Sequence, residues 1–88
     1  MTEREHEIAA LLFAWLDQVL AFMDQGQKKG RTYAALTKEA GEWGQRIGSL
    51  LDTEDRALLP GVVESLNARG DARKLLEQVL IGASVGSA

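Results

Sequence analysis

The segment from Glu3 to Gln25 constrains the fold more than any other part of this chain. On a wheel of about 100° per residue, Leu11, Phe22, Trp15, Ile8, Val19, Leu12, Met23, Leu16, Ala9, Leu20 and Phe13 fill one arc of roughly 200°. A surface helix of a globular protein needs a stripe of only about 100°. The helix must therefore be covered from two directions, by several neighbours in its own chain or by another chain. Its start is well marked. Thr2 and Glu5 have capping-box spacing, and Glu3, Glu5 and Glu7 suit the positive end of a helix dipole. Gly26 is the expected stop, and "GQKKGR" then reads as a short polar connector. Asp17 and Gln18 interrupt the apolar run, which reads as too short for a membrane span.

With 88 residues the chain is one small domain whose core is marginal. It contains no cysteine, so helix packing or a partner must do what disulfides and thiolate metal sites do elsewhere. Hydrophobic residues make up 45% and charged residues 26%, a globular mixture. The net charge of -3 argues against a dedicated nucleic-acid binder. Its distribution is uneven: only the middle third, with Lys28, Lys29, Arg31, Lys38 and Arg46 against Glu39 and Glu42, is basic. The acidic start "MTEREHE" does not resemble a signal peptide. These features lead to the expectation of a soluble, cytoplasmic protein without a membrane partner.

The second segment, Thr32 to Leu51, contains Gly41, Gly44 and Gly48, each of which costs roughly 1 kcal/mol against alanine in a helix. Read as one uninterrupted helix, it places Tyr33, Leu36, Ala40, Trp43, Ile47 and Leu50 at intervals of three and four, a heptad seam. The glycines fall within about 60° of one another beside that seam. They form a smooth strip where another helix backbone can approach closely.

The same stretch, "LTKEAGEWGQRIGSLL", also resembles the helix-turn-helix family of DNA-binding segments. Leu36 and Ala40 match core positions of the first helix, Gly41 the turn, and Ile47 and Leu50 core positions of the second. The resemblance covers about 20 residues and departs from the family at Thr37, Glu42, Gly44 and Gly48. It implies that Gln45, Arg46 and Ser49 face the major groove.

Beyond Leu51, Thr53 is the candidate N-cap of a third helix that starts with Glu54 and Asp55. Pro60 either kinks that helix or starts a new one. Gly70 ends it, and Asp71 is the expected cap of a last helix through "ARKLLEQVLIG". Residues 1–82 form the expected domain, and 83–88 a frayed tail.

Residues suited to chemistry are few. His6 is the single histidine and has no second histidine four residues on, so it reads as a solvated side chain. Nucleophilic triads need a base beside the nucleophile, and a single histidine near the N-terminus with no cysteine nearly excludes that class. "DTED" (Asp52 to Asp55) lacks the alternation and glycine of a calcium loop and reads as helix-start acids. "GQKKGRT" lacks the P-loop order, although Lys28, Lys29 and Arg31 beside a helix start could hold an anion. Catalytic residues, metal ligands and cofactors are not expected.

The expected fold is therefore all-α: a long helical hairpin, about 3–25 and 32–51, followed by two shorter helices. The first functional expectation is a non-enzymatic helical module that binds another protein (an adaptor, assembly factor or inhibitor) and forms a homodimer. Phe13, Trp15, Leu20, Gly41, Gly44 and Gly48 are its candidate interface residues. The alternative is a small DNA-binding regulator using residues 33–51, with Lys28, Lys29, Arg31 and Arg46 as candidate anion or nucleic-acid contacts.

Overall fold

The computed structural model describes residues 2–85. Among these it contains four helices and no strand: α1 (Glu3–Lys28), α2 (Tyr33–Leu50), α3 (Thr53–Leu66) and α4 (Asp71–Val85). The all-α fold expected from the periodicity is the one observed. The capping box at Thr2 is formed, with both the hydroxyl and the Glu5 carboxylate engaged. The Thr32 hydroxyl caps α2 by accepting from the Ala35 N–H.

Two caps differ from expectation. The N-cap of α3 is Asp52, whose carboxylate accepts from the Asp55 N–H at 2.8 Å, and Thr53 is already helical. The charged Asp52 side chain takes the orphan donor. At α4 the Gly70 carbonyl accepts from the Lys74 N–H, so Asp71 stands inside the helix and its carboxylate accepts instead from the Tyr33 hydroxyl.

Helices α1 and α2 form the hairpin and run antiparallel, but Gly26 is not its stop. It is buried inside α1, where an added Cβ would lie 2.5 Å from Leu36 Cδ2. The chain turns at Gly30, whose φ of +87° suits glycine. Helix α3 packs on α1, with the first turns of both helices side by side at Arg4 and Asp55. Leu12, Val19, Leu36, Leu59, Val62, Leu76 and Val79 are among the side chains that fill the core between the four helices.

The closest pair is α2 with α4, which run parallel. Tyr33 meets Asp71, Gln45 Nε2 donates to Gln78 Oε1 at 2.7 Å, and Gly48 meets Val79 and Ala83. A Cβ on Gly48 would lie 2.1 Å from the Val79 carbonyl oxygen, and one on Gly82 would lie 1.9 Å from the Gln45 carbonyl oxygen. The two backbones thus touch through glycines from both sides. This corrects the assignment of Gly41, Gly44 and Gly48 to an interface with another chain: all three are buried under α4 of the same chain. Gly41 is mid-helix, so residues 33–50 do not contain the turn that a helix-turn-helix requires.

Pro60 lies inside α3 without ending it, and Asn67 terminates that helix in the left-handed region with φ 50°. Residues 83–85, expected in the tail, form the last turn of α4, with Ala83 buried; the rest of the expected tail lies outside the described residues. Helix α1 is also longer than expected. By length and composition alone it could cross a membrane, with an 18-residue stretch of mean hydropathy 1.3. The expectation that this segment is too short therefore fails. A third of that stretch, 33%, is buried inside the fold.

Candidate functional site

Helix α1 turns Ile8, Ala9, Leu12, Leu16, Val19 and Met23 into the core. These cover about half of its apolar arc, and the remainder falls on two flanks. On one flank lie Phe13, 54% exposed, and Leu20, 39% exposed. On the other lie Leu11, 63% exposed, and the half-buried Trp15 and Phe22.

This second flank meets α2 and forms the most developed apolar surface. Ile8, Leu11, Leu12, Trp15, Ile47 and Leu51 line a cleft of about 260 Å³, with Arg4 and Asp55 at the end where α1 begins. That volume lies below the roughly 300–1,000 Å³ of small-molecule pockets and suits an inserted side chain. Towards the other end of the hairpin, the Phe22 and Trp43 rings pack at 4.7 Å between centroids and 50° between planes. The Arg31 guanidinium stands 5.7 Å from the Phe22 centroid and also pairs with Glu39 at 2.7 Å. Leu50, at heptad spacing from Trp43 and Ile47, is 78% exposed.

The polar end of the cleft is closed by an ion-pair network. Arg4 holds Asp55 with two parallel hydrogen bonds, Nε to Oδ1 at 2.8 Å and Nη2 to Oδ2 at 2.5 Å. A third bond runs from Nη1 to Glu7 Oε2 at 2.8 Å. Asp55 is buried, and the Arg4 hydrogen bonds keep its carboxyl below the usual carboxylate range despite its desolvation. The same contacts raise Arg4 further above its ordinary value. At the opposite end of α2, donation to Asp71 raises the Tyr33 hydroxyl pKa.

The remaining expected site residues are dispersed. Trp15 belongs to the cleft, where its Cη2 would stand 3.2 Å from a Cβ on Gly44, whereas Phe13 and Leu20 lie on the opposite flank. Lys28 pairs with Asp24 at 3.1 Å, Lys29 and Arg46 are exposed, and Arg31 is engaged with Glu39 and Phe22. Lys28, Lys29 and Arg31 cluster at the hairpin loop, and Arg46 lies far along α2. The groove between α2 and α4 is larger, about 510 Å³, but Lys38 and Lys74 there face Glu42 and Glu77, so it has no single sign of charge for an anion. Asp52 and Asp55 of the "DTED" run are engaged separately, in a cap and an ion pair.

Sequence reasoning did not single out Leu11, Leu50 or the Arg4–Asp55 pair. Leu11 and Leu50 each lie at an edge of an apolar arc, a position that a wheel shows but cannot mark as exposed. The ion pair joins residues 51 apart, and no local pattern signals it. Comparison with protein-family models, curated proteins and solved structures returns no match.

Proposed function

We propose that this chain is a non-enzymatic protein-binding module whose working surface is the apolar face along α1 and α2. The observation that carries the reading is the open strip of Leu11, Trp15, Phe22, Trp43, Ile47 and Leu50 around a cleft of side-chain size. Aromatic side chains with an apolar body and a polar rim are the usual anchors of protein interfaces. Self-association is part of this proposal, since α1 carries more apolar surface than its own neighbours cover. Specific DNA binding has less support: α2 has no turn at Gly41, and Lys28 and Arg31 are already paired with carboxylates.

A photo-crosslinking amino acid placed at Leu11 tests the reading, with the same substitution at exposed Asp17 of the same helix as control. Protein adducts concentrated at position 11, and lost when Leu50→Glu is added, support it. Equal adducts at both positions overturn it.

A further inference from the structure

We draw no further inference here: the strongest candidate, the apolar cleft between α1 and α2 beside Leu11 and Trp15, carries nothing beyond the reading above because nothing in the structure shows what covers it.

Discussion

A methyl group added at Gly48 would stand 2.1 Å from the Val79 carbonyl oxygen and 2.6 Å from the Ala83 nitrogen, whereas at Gly61 nothing lies within 4 Å. Both glycines are helical, so the same substitution should act in opposite directions. Gly48→Ala should destabilise by about 1–3 kcal/mol or more, because two backbones must separate. Gly61→Ala should stabilise by about 0.5–1 kcal/mol through helix propensity alone. Urea unfolding of the two variants checks this, and a shared sign would contradict the packing described. Tyr33 is the chain's only tyrosine, so its ionisation can be followed by absorbance. Its folded midpoint should lie above the ordinary value of about 10, and Asp71→Asn should bring it back. Since the folded pKa is raised, the contribution of this contact to stability is present at neutral pH and lost as pH rises through the folded midpoint.

At the scale of the helices, Pro60 withholds a backbone donor in the middle of α3, yet α3 persists from Thr53 to Leu66 because Leu59, Val62 and Val63 are buried. Pro60→Ala should therefore stabilise the protein by about 1 kcal/mol or more, read as a rise in the urea midpoint. A fall would mean that the proline ring has a packing role outweighing the lost hydrogen bond. The four helices were legible because their periodicity and caps are local signals. Tyr33, Leu36, Ala40, Trp43, Ile47 and Leu50 kept their spacing through Gly41, and the helix ran through it. Gly26 was misread as a stop because its reason for being glycine, the Leu36 side chain against it, belongs to another helix. The same holds for the glycine strip of α2. Its use for close approach was visible in the spacing, but that α4 supplies the approaching backbone depends on Gly82, more than 30 residues away. Of the candidate face, Trp15 was identified, while the exposure of Leu11 and Leu50 depends on how far the neighbouring helices reach.

Across the whole molecule, the Arg4–Asp55 pair fastens the first turn of α1 to the first turn of α3 and closes the polar end of the cleft. Asp55 has a depressed pKa, so its contribution is present above the ordinary carboxylate range and lost as pH falls through the folded value. Urea midpoints of the unmodified chain should therefore fall on acidification more steeply than those of Asp55→Asn, which should already be less stable at neutral pH. Identical slopes would show that the pair is not coupled to folding. The parallel seam between α2 and α4 has a consequence for the order of events in time. Its contacts join residues 33 and 38 positions apart, Gln45 to Gln78 and Tyr33 to Asp71, so loop closure must precede them. As the chain emerges from a ribosome, α1 and α2 can pair while the glycine strip still faces water, and the tightest contact in the protein waits for the last helix to be made. Until then the nascent chain exposes an apolar hairpin with both sides open, and it is in this interval that a chaperone would find the most apolar surface on it.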